Sequence, residues 1–288
     1  MFYQKIIAVH QFNKIVIGIA FSPNLEQNIF ESIRLSNMFN AQLICVHVGT
    51  QTAEKEAQLQ KLIAGAPNPD KPIKTIFQEG IPSKVILDVC HQENIDLLIL
   101  GALQKENIYK YYVGSIARVL TRKAPCSVLL LIKHSITRIP CKHIVVNGLK
   151  NPNTEETLRT SFYVSQSFGC KKITIVEEIT QGEIHVKIND DLSLRKASIA
   201  RERLKTREDI RVKDLLKRIR EDLKKEISIQ TQSIFGKRGY SIGHYARVVR
   251  ADLLIMNAPD KTSLLDRIFP HDIEYILSEL PTDVLIVK

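Results

Sequence analysis

Gly101, Gln104, Gly114 and Ser115 carry the clearest chemical signal in this chain. Leu100-Gly101-Ala102-Leu103-Gln104 follows the apolar run Asp96-Leu97-Leu98-Ile99, and nine residues beyond Gln104 comes Gly114-Ser115. Glycine permits close approach to the backbone. A helix beginning at Gly114-Ser115 would offer unpaired N–H groups and the positive end of a dipole. The Ser115 hydroxyl adds a donor, so the parts suit a phosphate, although Gly and Ser also begin helices for structural reasons alone. Neither this stretch nor any other contains a G-x-x-x-x-G-K-(S/T) loop, and a P-loop NTPase is not supported.

Other reactive side chains form no comparable pattern. The eight histidines show no HExxH or similar metal-ligand spacing. His47 falls inside a strand-like run, as a satisfied core histidine does. His91 and His244 fall on helical stretches, and His271 lies at a loop. No nucleophile–base pair can be read from spacing. The five cysteines, Cys45, Cys90, Cys126, Cys141 and Cys170, are scattered without a CxxC. Buried free thiols in a reducing compartment fit them better than disulfides or a zinc site.

The elements that would hold the Gly101–Ser115 loop alternate along the chain. Residues 14–19 read as a strand, and Ser22-Pro23 opens a helix with Ser as N-cap. Ile29, Ile33, Ser36 and Phe39 keep helical spacing to its end. Residues 43–48 and 73–77 read as the second and third strands. Val85, Ile86, Val89 and Cys90 share one face of a helix over 83–93. Residues 97–100 form a fourth strand, 116–123 a helix and 127–132 a final strand. Such alternation implies right-handed crossovers and a parallel sheet covered on both faces. Ligands of such sheets bind at the carboxyl ends of the strands.

This arrangement is written twice. Gly80–Leu131 reappears as Gly236–Val287 at a shift of 156, with only 11 of 52 pairs identical but the apolar runs and Pro125/Pro281 in register. The earlier part repeats at a shift of 129, Ile15-Val16-Ile17-Gly18 answering to Ile144-Val145-Val146-Asn147. Internal duplication sets the architecture: two doubly wound α/β domains, 1–135 and 140–288. The difference of 27 residues between the two shifts falls between Glu178 and Gly236, giving an insertion over about 180–232. Val212, Leu215, Leu216, Ile219, Leu223 and Ile227 predict an amphipathic helix there, extended or preceded by the polar stretch 195–209. That helix either lies on its own domain or serves as a docking arm. Residues 2–9 add a strand-like run without a counterpart.

The copies differ most at the loop. Asn257 and Asp260 stand in place of Gly101 and Gln104, and Pro270-His271 in place of Gly114-Ser115. Proline removes a donor there, and Asp272 and Glu274 put negative charge where an anion would sit. Gly236-Lys237-Arg238-Gly239 reads as a basic turn rather than an anion site.

Bulk composition narrows the classes. A hydrophobic fraction of 44% and a charged fraction of 25% over 288 residues describe a soluble globular protein with room for two domains. Apolar runs fall short of the roughly 20 residues a membrane helix needs. Residues 1–12 lack the pattern of a signal peptide, which makes the cytoplasm the default. The net charge of +10 raises nucleic acid or an anionic surface as partner, yet +6 of it lies between Arg195 and Glu226, with 13 Lys/Arg against 7 Asp/Glu. That segment mixes signs and contains no aromatic residue for base stacking, which fits a solvated helical face.

Taken together, Glu79-Gly80-Ile81-Pro82, Asp96 to Gly101, Val113-Gly114-Ser115-Ile116-Ala117 and Ala124-Pro125-Cys126-Ser127-Val128-Leu129 resemble the universal stress protein family. The resemblance covers 14–133 and, more faintly, 142–288, so the chain looks like a tandem member. It implies a Rossmann-like, adenine nucleotide alpha hydrolase-like fold and a non-enzymatic stress sensor or adaptor. It further implies domains that meet through their last strands, 128–132 and 284–287, as an intramolecular pseudo-dimer, with an unidentified protein partner and room for a homodimer. In the family's ATP-binding branch the loop reads G-x2-G-x9-G-(S/T), and an aspartate follows the first strand. Gly101, Gly114 and Ser115 fit that loop, Gln104 replaces its second glycine, and Ala20 stands where the aspartate would be. Val48 and Leu100 fall where members line the adenosine pocket, and Ile116 supplies a further backbone N–H. The resemblance thus implies ATP or a related adenine nucleotide, with Mg, in the first copy only. Two rival functions stay open: a slow nucleotide hydrolase using Ser115 and the Gly101 loop, and a nucleic-acid or anionic-surface binder acting through 195–226. A membrane is not implied as a partner, and the charge pattern counts against nucleic acid.

Overall fold

The computed structural model describes residues 11–66, 69–104, 111–132, 135–137, 139–184, 186–187, 189–258 and 272–288. The expected strand over 2–9 and the substitutions at Asp260 and Pro270-His271 lie outside the described residues. In the first half the order is β1 (Lys14–Ile19), α1 (Leu25–Phe39), β2 (Gln42–Val48), α2 (Ala53–Gly65), β3 (Lys74–Gln78), α3 (Pro82–Gln92) and β4 (Leu97–Gly101). A short hairpin, β5 (Leu103–Gln104) with β6 (Tyr111–Tyr112), leads to α4 (Ser115–Lys123) and β7 (Ser127–Leu131). The second half runs β8 (Ile144–Asn147), α5 (Thr154–Phe168), β9 (Lys172–Thr180), α6 (Asp191–Arg218), α7 (Glu221–Lys224) and β10 (Ser228–Gly236). It ends with α8 (Tyr240–Val248), β11 (Leu253–Asn257), α9 (Asp272–Ser278) and β12 (Asp283–Val287).

Ten strands make one sheet in the order β10-β9-β8-β11-β12-β7-β4-β1-β2-β3. The central strands are apolar at nearly every position because both faces are covered. One layer of core joins α1, α2, α5 and α6 to the sheet, through residues such as Ile29, Leu59, Phe162 and Val212. The other joins α3, α4, α8 and α9, through Val89, Leu120, Ile242 and Ile276.

Neighbouring strands are parallel except at the centre, where β7 and β12 run antiparallel with Leu285 opposite Leu129. Those two leucines are the same position in the two copies, 156 residues apart, so an approximate twofold axis passes between them. Backbone capping repeats across it: Ile132 N–H donates to Asp283 Oδ1 (2.7 Å), and Lys288 N–H to Ser127 Oγ (3.2 Å). On the α1/α5 face, Phe39 packs on its equivalent Phe168 with ring centroids 5.4 Å apart. Away from the axis, Asp96 Oδ2 accepts from the N–H groups of Asn13 (2.9 Å) and Lys14 (3.0 Å). Asp252 Oδ2 does the same for Lys142 (2.8 Å) and His143 (3.1 Å).

Several sequence expectations shift. Helix α1 begins at Leu25 after Asn24, while Ser22 belongs to the preceding turn, its carbonyl accepting from Leu25 N–H. Helix α2 had no counterpart in the reading because its buried face is a single residue, Leu59. Strand β1 places Ile15 opposite Leu43, whereas β8 places Ile144 opposite Ile173, so the offset of β9 is 173 − 43, or 130. One of the extra residues therefore sits between α5 and β9 rather than beyond Glu178.

Equivalent clamps should cost the same. Asp96→Ala and Asp252→Ala each take a carboxylate acceptor from two backbone N–H groups, one exposed and one part-buried, and each is expected to lower stability by about 1–2 kcal/mol in urea unfolding. A loss in one variant with none in the other would contradict equivalence.

Candidate functional site

The carboxyl ends of β4, β1 and β2 are neighbours at one edge of the sheet, with β1 in the middle. Leu100 is buried, Val48 half-buried, and Gly101 and Ala20 exposed at these strand ends. After Gly101 the Ala102 N–H returns to Leu131 O at 2.8 Å, and the β5–β6 hairpin then carries the chain back. Gln104 lies in β5 opposite Tyr111, and Leu103 opposite Tyr112. The hairpin places Leu103 against Gly114, where an added Cβ would come within 3.0 Å of Leu103 Cδ1, so glycine lets the loop close.

Gly114 is the N-cap of α4, in extended backbone and without a side-chain cap. Arg118 N–H makes the return bond to Gly114 O at 2.9 Å, so the N–H groups of Ser115 and Ile116 precede the helix's own ladder. Both residues are exposed, and the first turn of α4 holds no acidic residue. The start of α4 thus presents exposed Ser115 and Ile116 at a positive dipole end, a setting suited to an anion.

Beside it stands a group that the spacing did not reveal. His47, at the end of β2, is not a plain core residue: its ring lies edge-on to Phe21 (4.8 Å) and Phe77 (5.6 Å). His47 Nδ1 is 3.2 Å from Ile19 O, and Nε2 is 3.3 Å from Lys55 Nζ. A lysine ammonium can only donate, so Nε2 is placed as the acceptor and Nδ1–H as the donor to Ile19 O. Lys55 also donates to Thr50 O at 3.0 Å. Lys55 comes from α2, the helix absent from the sequence reading, which is why the cluster was not foreseen.

The second half fills the equivalent edge with its own side chains. By register Glu178 takes the place of Val48, and its carboxylate accepts from Gly239 N–H (3.0 Å) and Ile242 N–H (2.8 Å) at the start of α8. The N–H groups at the end of the 236–239 turn are thus taken up inside the chain by Glu178. Glu177 takes the place of His47 and is almost wholly buried. Burial pushes its carboxyl up to about 7, opposed by Arg211 of α6, whose guanidinium lies 3.5 Å away. Arg211 also donates to Gly148 O, at the end of β8, and to Glu208 Oε2 at 2.7 Å. Burial pushes Glu208 up as well, but hydrogen bonds from Arg211 and Arg207 outweigh it and hold the carboxyl low. Asn257, in place of Gly101, donates to Thr154 Oγ1 at 3.2 Å.

Helix α6, capped by Asp190 and Ser193, includes the whole stretch 195–209 but stops at Arg218. Ile219, Leu223 and Ile227 reach the core from outside it, because Ile219 turns to extended backbone. The helix packs along β10, so its inner face belongs to its own half. No described helix is long and apolar enough to cross a membrane.

Residues 49–131 match the sequence profile of the universal stress protein family. A universal stress protein of Methanothermobacter thermautotrophicus is 27% identical over 73 residues, 25% of this chain and 49% of that protein. The match spans about half the length of this curated relative. Among solved structures, a protein of unknown function from Pseudomonas aeruginosa PAO1 superposes with a TM-score of 0.68 at 14% identity, over 97% of this chain and 94% of the other. A universal stress protein from Archaeoglobus fulgidus DSM 4304 gives 0.67 at 14% identity, over 96% and 99%. These two superpositions establish a shared fold, the mostly parallel, Rossmann-like α/β sheet with flanking helices.

Glu177 makes stability depend on pH. Its folded carboxyl titrates near 7 and the unfolded one near 4.5, so its contribution is complete below about pH 4.5 and is lost as pH rises to about 7. The loss is of order 3 kcal/mol. Glu177→Gln should flatten that slope in urea unfolding between pH 5 and 7; an unchanged slope would assign it to other groups.

Proposed function

We propose that the first half binds a phosphate-bearing adenine nucleotide, with ATP and magnesium the leading candidate, and that the chain works as a non-enzymatic cytoplasmic sensor or adaptor. The two halves would be the domains 1–135 and 140–288, only the first of them a ligand site. Support comes above all from the start of α4, where Gly114 and the N–H groups of Ser115 and Ile116 face outward with no acidic residue in the first turn. The triphosphate would rest there, near Gly101 and Gln104, with its metal carried in on the phosphates. Val48 and Leu100 would flank the nucleoside. Ala20 offers it no carboxylate, so phosphate contacts would supply most of the affinity. In the second half, Glu178 and the Glu177–Arg211 pair stand at the corresponding strand ends, which is why one ligand per chain is proposed.

Thermal melting tests the reading. Mg-ATP at about 100 times its dissociation constant should stabilise the chain by roughly 2.7 kcal/mol. Ser115→Pro removes one N–H while suiting the first helical position, so it should keep the fold and abolish the shift. Absence of any shift in the unaltered protein at millimolar Mg-ATP would sink the proposal.

A further inference from the structure

The approximate twofold axis brings equivalent residues face to face in all three layers of the molecule. Phe39 meets Phe168 on one side, and Leu129 meets Leu285 within the sheet. On the remaining side Arg118 of α4 meets Glu274 of α9, again 156 residues apart, with Arg118 Nη1 2.8 Å from Glu274 Oε2. Arg122 adds a second contact to the same carboxylate, Nη2 to Oε1 at 2.5 Å. Arg118 also donates to Val113 O (2.9 Å) and Leu277 O (3.2 Å), so its guanidinium is spread across both halves. The Glu274 side chain is 16% exposed and that of Arg118 30%, which limits screening by water and salt.

Leucine against leucine and phenylalanine against phenylalanine would serve equally well if two identical halves paired. The ionic contact would not. Two first halves would oppose Arg118 and Arg122 to their own copies, and two second halves would oppose Glu274 to Glu274. Like charges held this close are strongly unfavourable. We infer that the α4/α9 face accepts only its complementary half and rejects a second copy of itself, so the chain does not homodimerise through this face. Any homodimer must use another surface. A position on a true twofold axis must be compatible with itself. Joining two copies in one chain lifts that restriction, and Arg118/Glu274 uses the freedom to set like charges against each other whenever a half meets its own copy.

Each single charge reversal recreates one of the rejected faces inside the intact chain. Glu274→Arg sets arginine against Arg118, as two first halves would, and Arg118→Glu sets glutamate against Glu274, as two second halves would. In full-length protein, Glu274→Arg should lower the unfolding midpoint by about 5 °C. Adding Arg118→Glu to it should restore most of that loss, because an opposite pair is re-formed in reverse. The neutral variant Glu274→Gln should fall between the two and remain measurable if Glu274→Arg fails to fold. A double variant no more stable than Glu274→Arg, or a Glu274→Arg variant melting like the original, would overturn the inference.

Discussion

The antiparallel pairing of β7 with β12 is the constraint on which the molecule depends. Each half alone would leave a strand with four buried apolar residues and an unpaired edge, which is a template for aggregation. Joining the two edges buries them and forces Leu129 onto Leu285. From that contact follow the continuous ten-stranded sheet and the meeting of α1 with α5 and of α4 with α9. The strand ends that could hold a ligand, those of β4, β1 and β2, thereby lie on parallel strands to one side of the axis.

With the scaffold held twice, the two crevices were free to diverge. The first keeps backbone donors uncovered at Gly114 and Ser115. In the second, an added helix lays Arg211 over the ends of β8 and β9, and Glu178 occupies the N–H groups that begin α8. At Glu177 burial outweighs the opposing Arg211 and pushes the carboxyl up to about 7, so its charge is decided near neutral pH.

Much of this was legible from the residues. Unbroken apolar runs such as Val128–Leu131 announced strands covered on both faces, and the shift of 156 matched the two last strands position by position, while their meeting was implied by the family resemblance alone. Helix α2 escaped because one buried leucine carries no periodicity, and with it went Lys55 and the His47 cluster. The β5–β6 hairpin escaped because two residues per strand are too few to alternate visibly. The break of α6 at Ile219 was hidden by apolar spacing that continues through Leu223 and Ile227. The core needs those side chains, whatever the backbone does between them. The roles of the glutamates at 177 and 178 escaped because their partners, Arg211, Ser233 and the turn at 239, lie far along the chain.

The central claim is one fold written twice with a ligand site kept once. Isothermal titration of the full-length protein with Mg-ATP tests it most directly through stoichiometry. One equivalent per chain, lost in Ser115→Pro and retained in Glu177→Gln, is the predicted result. Two equivalents per chain, or a single one that survives Ser115→Pro, would contradict it.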